Sequence, residues 1–346
     1  MRGLGILCLG VLWSTVSPAQ SPTPPSPTLV ARRAQLQSYF SGSVPPARAI
    51  PARRDLILWF IQHAPADPVL LSSAATIDPS GHSLADPLGY QRAAAAWRAQ
   101  TARPGLPTAA LLHAAYFFKL HDRLAAIQLL ETATAREPAN REFGARLGDA
   151  YALALLGITM INRSGFPTQA DPRLTQHPAA QHARAALATS RNPFALAKAG
   201  YQLAWQGSIL LGSQRLAFDP FPAAQQAVER AVELAPGDAE VAAYLDRYNE
   251  LQRTTGRGAP ANRTAAAASA AASPPSALDW SRIQPGMSRQ DLLRLAAPHG
   301  RTMSSEDGHL VETYQYLTPG SNSPGRVRLT DGVVTAVHPP PTYSAR

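Results

Sequence analysis

Apolar side chains recur at helical spacing along most of the chain, with polar residues at the positions between them. Runs of Val, Ile and Thr are scarce before residue 310, so the pattern predicts a mainly α-helical protein. Residues 53–61 are strongly hydrophobic and are expected in the core. The periodicity predicts helices near residues 30–40, 53–61, 87–102, 179–188, 193–205 and 238–253.

The stretch from 107 to 151 has the most regular pattern. Two amphipathic segments meet at Glu137-Pro138 and a third follows, with Thr108, Asp122 and Asn140 as expected N-caps. Small and apolar residues recur there with a period of about 34 residues. They are Ala110, His113, Ala114, Phe117, Ala126, Leu130 and Ala133, then Gly144, Leu147, Gly148 and Tyr151.

This spacing, above all Leu147-Gly148-x-x-Tyr151, resembles a tetratricopeptide repeat. The resemblance implies stacked helical hairpins in which Gly or Ala permits close helix approach and proline ends the second helix. An ordinary helical hairpin with coincidental spacing is the alternative. The last predicted helix, 238–253, would close the exposed end of such a solenoid.

Three departures interrupt the array. Residues 64–87 and 158–178 are rich in Pro, Gly or polar residues and are interpreted as insertions, the first either functional or mobile. Leu196, Ala199, Gly200 and Leu203 repeat the expected pattern, but their partner helix comes about twelve residues late. The segment 207–222 is therefore an extension or a lengthened helix.

The end of the chain is built differently. Ser288 and Asp291 form a capping box before a short leucine-rich helix, and residues 310–317, 326–330 and 333–337 are strand-like. Asp331-Gly332 predicts a two-residue hairpin turn. That turn is expected to place Val327 opposite Ala336 and Leu329 opposite Val334.

The residues 283–288, Tyr314-x-Tyr316 and 331–334 together resemble the small periplasmic SmpA/OmlA (BamE-like) domain. The resemblance covers about sixty residues and implies a helix pair on a small antiparallel sheet that holds other envelope proteins, without catalysis. This chain has Ala297-Pro298-His299-Gly300 where the family usually has Gly-x-Pro. It also lacks the lipid-bearing cysteine of many members, since its one cysteine, Cys8, lies inside the leader.

The first nineteen residues have the pattern of an export signal, with Arg2 before a short apolar run and Ser17-Pro18-Ala19 as the cleavage site. An uncleaved anchor is the alternative. The mature chain is then expected to be periplasmic or secreted, with no stable membrane span. The predicted organisation is a signal peptide (1–19), a Pro-rich spacer (20–29), a helical repeat-like domain (30–253), an Ala/Pro/Ser linker (254–277), a BamE-like α+β domain (278–338) and a tail (339–346).

The formal net charge is +9, or +8 once Arg2 leaves with the leader. The arginines are scattered singly, so nucleic acid is not an expected partner. The pairs His113/His121 and His177/His182 provide too few ligands for a metal site. No catalytic or cofactor-binding motif occurs, and the pairs Asp238/Glu240 and Glu229/Glu233 are interpreted as ordinary helix-end and solvated carboxylates.

The sequence therefore predicts a mainly α fold, an irregular tetratricopeptide-like helical-hairpin solenoid followed by a flexible linker and a small α+β domain. Its predicted role is an exported, noncatalytic scaffold that holds protein or peptide partners in the groove of the helical repeats, without a cofactor or metal. The alternative is a cell-envelope hydrolase with its site in the insertions 64–87 and 158–178. The candidate partner-binding residues are Tyr116, Lys119, Arg146, Asp149 and Gln202.

Overall fold

The structure is a computed structural model. It describes residues 26–41, 44–79, 85–161, 167–213, 216, 218–256, 279–296, 298, 300–306, 309–316 and 325–340. These ranges contain eleven α-helices and six β-strands, so the protein is mainly helical with a small antiparallel sheet near its C-terminal end, as predicted. The predicted signal peptide and most of the predicted linker lie outside the described residues.

Three helices open the helical part: α1 (Pro27–Phe40), α2 (Pro46–His63) and α3 (Pro87–Thr101). Helix α1 starts within the predicted spacer because Ser26 caps it and proline suits a first helical turn. The described residues of the first insertion form two short 3-10 turns, Pro68–Leu71 and Ser73–Ala75. They are packed in place, because Arg53 donates to the carbonyls of Ala74 and Thr76 and apolar side chains of both turns are buried.

The most regular sequence pattern corresponds to α4 (Thr108–Phe118), α5 (Arg123–Arg136) and α6 (Arg141–Leu155). Asp122 and Asn140 are N-caps as predicted, since their side chains accept from the backbone N–H groups of Ala125 and Glu142. The prediction for Thr108 was wrong. Pro107 occupies the cap position and Thr108 is the first helical residue.

The second insertion contains strands β1 (Ile158–Ile161) and β2 (Pro167–Ala170), which pair antiparallel, and then a 3-10 turn, Pro172–Gln176. These strands were not predicted, because each has four residues and neither alternates strictly between buried and exposed positions. The carbonyl of Ile158 accepts a hydrogen bond from buried Arg123, so the insertion is anchored to α5.

Four helices complete the helical part: α7 (Pro178–Thr189), α8 (Pro193–Gly212), α9 (Phe221–Leu234) and α10 (Ala239–Thr255). The sequence left residues 207–222 as either an extension or a lengthened helix. Helix α8 is lengthened, since it continues to Gly212. One hydrophobic core runs through the whole helical part, from Leu36 to Tyr248. Helix α6 is buried nearly all round, because from Glu142 to Leu155 only Arg146 and Asp149 are partly exposed.

The C-terminal part contains α11 (Arg289–Leu295) and strands β3 (Gly300–Glu306), β4 (His309–Tyr316), β5 (Gly325–Thr330) and β6 (Val333–His338). The strands form one antiparallel sheet in chain order, on a core separate from that of the helical part. The N-cap half of the predicted capping box is confirmed, since the Ser288 hydroxyl accepts from the Asp291 N–H at 3.1 Å. The Asp291 carboxylate accepts from the Ser288 hydroxyl at 2.6 Å. The described residues have one α-helix here and a 3-10 turn at Trp280–Arg282, where the family resemblance implied a helix pair.

The predicted β5–β6 turn is present, and both turn residues have positive φ, 49° at Asp331 and 82° at Gly332, as this tight turn requires. Leu329 pairs with Val334 as predicted. The prediction that Val327 faces Ala336 was wrong, because Val327 pairs with Val337. A register shift between Arg328 and Leu329 is typical of a β-bulge. It moves the three pairs farther from the turn, those of residues 326–328, by one residue.

Two glycines allow a test of helix packing. A Cβ at Gly148 would lie 2.5 Å from the Ala195 carbonyl oxygen and 2.8 Å from the Ala199 nitrogen, whereas one at Gly212 would meet nothing within 4 Å. We expect Gly148→Ala to lower the free energy of unfolding by about 1–3 kcal/mol, since overpacking against backbone outweighs the gain of about 1 kcal/mol in helix propensity. Urea denaturation followed by circular dichroism measures the change.

Gly212→Ala is the matched control, and its free energy of unfolding should stay the same or rise slightly. Equal losses in the two variants would contradict the close approach of α6 and α8.

Candidate partner-binding surface

Helices α6 and α8 lie against each other with their backbones in near contact. Gly148 supplies the space on α6, and a Cβ at Gly144 would also meet Asn192 and Phe194 around the start of α8. On its other side α8 packs on α9, where a Cβ at Gly200 would lie 2.4 Å from Val228. The apolar and small residues of these helices are used for packing, so polar side chains gather along the remaining face.

The partly exposed residues of α6 belong to a line of charges. Arg146 lies 3.7 Å from the Glu142 carboxylate and 4.0 Å from that of Asp149. Asp149 in turn lies 3.6 Å from the Lys198 ammonium group on α8. This line of alternating charges joins α6 to α8, with Arg146 and Asp149 partly exposed and Glu142 and Lys198 buried.

Helix α8 continues this surface with amides and aromatic rings. Gln202 and Gln206 follow Lys198 at four-residue intervals, and their Oε1 atoms are buried without a hydrogen-bond partner. Tyr201 and Trp205 are partly exposed, with ring planes 7° apart and centroids separated by 6.5 Å. Aromatic rings that keep one face accessible are common in protein-binding surfaces.

Tyr244 of α10 completes the surface. Its ring centroid lies 5.6 Å from the Lys198 ammonium group, 5.8 Å from the Arg247 guanidinium group and 5.9 Å from the Tyr201 ring. Burial raises the pKa of Tyr244 well above its usual value, and the Glu240 carboxylate adds to this effect. Burial also lowers the pKa of Arg247. The two cations thus lie beside a neutral phenol ring.

A second ion cluster fixes α10 against α6. Arg141, at the start of α6, donates to Asp238 at 2.8 Å and to Glu240 at 3.1 Å. Asp238 also caps α10, because its side chain accepts from the N–H groups of Glu240 and Val241. The interpretation of Asp238 and Glu240 as a solvated helix end was therefore incomplete, because both bind a cation from a helix 97 to 99 residues away in sequence.

The structure brings three of the five predicted contact residues together. Arg146, Asp149 and Gln202 line the surface between α6 and α8. Tyr116 and Lys119 lie at the end of α4, where the Lys119 ammonium group sits 3.8 Å from the Tyr116 ring centroid. We use the term polar surface for the group on α6, α8 and α10. Its partly exposed members are Arg146, Asp149, Tyr201, Trp205 and Arg247, and the buried side chains next to them are Glu142, Lys198, Gln202 and Tyr244.

Sequence reasoning missed several members of the polar surface. Lys198 had a usable signal, since it is one of two lysines in the chain and precedes Gln202 by one helical turn. Arg247 had no distinguishing local pattern in the sequence, although it follows Tyr244 by three residues on α10 and its guanidinium group lies over that ring.

The predicted histidine pairs have separate surroundings. His113 is buried and bonds the Pro65 carbonyl at 2.8 Å, while the His121 ring lies edge-on to Tyr90. His177 accepts from the N–H of Ala179 at the start of α7. His182 lies 2.9 Å from Glu131, which also accepts from the Tyr151 hydroxyl. Among the described residues no group of three or more His, Cys, Asp or Glu side chains could hold a metal ion.

No described helix is long and apolar enough to cross a membrane. Comparisons of the chain with protein-family models, with curated proteins and with solved structures found no match.

The surroundings of His121 give a pH prediction. Burial lowers the pKa of His121 from the ordinary value of 6.5, so the imidazole binds a proton less readily in the folded state than in the unfolded state. Stability is thus expected to fall as the pH drops below 6.5. His121→Phe keeps a ring against Tyr90 and removes the titrating group, so this variant should lose less stability between pH 7 and pH 5. Urea denaturation at several pH values measures the slope.

His63→Gln is the control, since His63 is exposed at the end of α2. A change in the pH slope equal to that of His121→Phe would show a general effect of losing one histidine and would contradict the prediction. A slope that is the same in wild type and His121→Phe would show that protonation of His121 does not oppose folding.

Proposed function

We propose that this protein is an exported, noncatalytic adaptor that binds a peptide or protein segment on its polar surface. In this proposal the helical part is an irregular tetratricopeptide-like array, and the C-terminal part is a BamE-like module that contributes a second contact in the cell envelope. The observation that carries the proposal is that charged side chains and aromatic rings lie together on α6 and α8, where Arg146, Asp149, Tyr201 and Trp205 are partly exposed.

The chemistry of the polar surface suits a peptide partner. Extended peptides present backbone C=O and N–H groups, which can accept from the partly exposed Arg146 guanidinium group and donate to the partly exposed Asp149 carboxylate. Tyr201 and Trp205 offer flat apolar area for a side chain of the partner. The charges of Arg146, Asp149 and Lys198 would favour a segment with complementary charges.

Two sequence features support a place in the cell envelope. The first nineteen residues have the charge and length pattern of an export signal. The only cysteine, Cys8, lies within that stretch, so the proposed mature chain needs no disulfide to form its core. The proposed location is therefore the periplasm or the extracellular space.

Selection from a phage-displayed library of random dodecapeptides tests peptide binding directly. We expect the full chain to enrich peptides that share a motif. The Kd of a synthetic copy should rise about fivefold or more in Arg146→Gln and in Tyr201→Ala, since truncating a central contact costs about 1 kcal/mol or more. Fluorescence anisotropy of the labelled peptide measures the Kd.

Arg253→Gln is the matched control for Arg146→Gln, because Arg253 pairs with Glu250 on the exposed side of α10. This variant should bind the peptide as wild type does, and circular dichroism should be the same for all variants. Failure to enrich any shared motif, or equal binding by all variants, would contradict the proposed site.

A further inference from the structure

The C-terminal part touches the helical part through a charged contact. Arg33 of α1 is 5% exposed and binds two carboxylates at once. Its Nε and Nη2 atoms donate to Asp67 at distances from 2.9 to 3.3 Å, and its Nη1 atom donates to Asp331 at 2.5 Å. Asp67 belongs to the helical part and Asp331 to the β5–β6 turn, so this one guanidinium group links the two parts.

The turn is shaped to present Asp331 to Arg33. Asp331 has a positive φ of 49°, its side chain accepts from the Leu310 N–H at 3.0 Å, and the His309 ring lies 2.5 Å from its second oxygen. Strands β3 and β4 have Cα atoms within 8 Å of those of α1. The carboxylate is thus held in a fixed position at the tip of a rigid hairpin.

The same C-terminal part also reaches α6. Cα atoms of α11 lie within 8 Å of those of α6, the helix that carries Arg146 and Asp149. This contact agrees with the nearly complete burial of α6. The hydrophobic cores of the two parts remain separate, and no buried apolar residue belongs to both of the described clusters. Contacts between domains that lack a shared apolar core generally permit relative motion.

We infer that the C-terminal part is an internal, displaceable occupant of the helical array, held on α1 by the Arg33–Asp331 ion pair and lying against α6, the helix that carries Arg146 and Asp149 of the polar surface. A partner must then move it aside or compete with it. A competing partner would offer Arg33 an acidic side chain in place of Asp331. This role for the polar surface rests on the proposed function.

The charged groups around the ion pair allow the helical and C-terminal parts to separate at modest cost in free energy. Arg33 keeps Asp67 when Asp331 leaves, so release does not strand a buried cation without a counter-ion. Asp331 likewise keeps His309 and the Leu310 N–H. Each part of the chain thus retains partners for its own charged groups after separation, and the cost of release is smaller than for an isolated buried pair.

A distance measurement tests the contact. Spin labels are attached at Gln35→Cys on α1 and Arg326→Cys on β5, in the full chain with Cys8→Ser. Double electron–electron resonance then measures the distance between the two labels. We expect one narrow distance distribution in the parent and a broader, longer one in Asp331→Gly. Glycine suits the turn conformation, so the hairpin should persist. An unchanged distribution in Asp331→Gly would overturn the inference.

Glu306→Gln is the matched control, because Glu306 forms an exposed ion pair with Arg328 within the same sheet. This variant should keep the narrow distribution. A broadening equal to that of Asp331→Gly would show a general effect of lost acidic charge and would also overturn the inference.

Peptide selection then tests the competition. The dodecapeptide library should give stronger enrichment on Asp331→Gly than on wild type. The Kd of a recovered peptide should fall by up to about tenfold, since a site open a tenth of the time binds with a tenth of its intrinsic affinity. Equal binding by both proteins would leave the proposed function standing and overturn the competition. Enrichment on neither protein would contradict the proposed function and remove the basis for competition.

Discussion

The contact between α6 and α8 is the constraint on which the rest of the helical part depends. Gly148 has no Cβ, so the α6 backbone can lie against the backbone of α8 at Ala195 and Ala199. This approach leaves no room for a side chain at position 148. Charged residues on their outer edges, such as Asp149 and Lys198, therefore come within reach of each other. Packing of small residues thus determines the position of the polar ones.

The polar surface combines charged side chains with a buried aromatic ring. Tyr244 is fully surrounded yet lies beside two cations, Lys198 and Arg247, and burial keeps its hydroxyl protonated. Arg141 binds Asp238 and Glu240, so α10 is held at its first turn as well as by its apolar face. Such a surface is rigid where helices meet and retains polar groups that a partner can use.

The two parts of the chain differ in what holds them together. Inside each part, apolar packing and regular backbone hydrogen bonds dominate. Between them, the strongest described contact is the buried ion pair of Arg33 and Asp331. An ion pair is specific in geometry, but the desolvation of its charges offsets much of its attraction. This balance suits a contact that forms in one orientation and can be exchanged for another.

The sequence by itself determined the features that depend on neighbouring residues. The helices of the helical part, the caps at Asp122 and Asn140 and the Asp331-Gly332 turn all follow from local hydrogen bonding and periodicity. Helical spacing puts Arg146 and Asp149 on one face of α6, as their ion pair shows, whereas Gln202 lies on α8. The exact pairing of β5 with β6 could not be predicted, since a bulge has no reliable local signal.

Only the tertiary structure decided which distant residues meet. The Arg33–Asp331 pair spans 298 residues of sequence. Lys198 meets the Tyr244 ring only because α10 packs on α8. The physical reason is that side-chain charge and hydrogen-bonding capacity are visible in a sequence, whereas the choice of partner depends on how whole helices and strands pack.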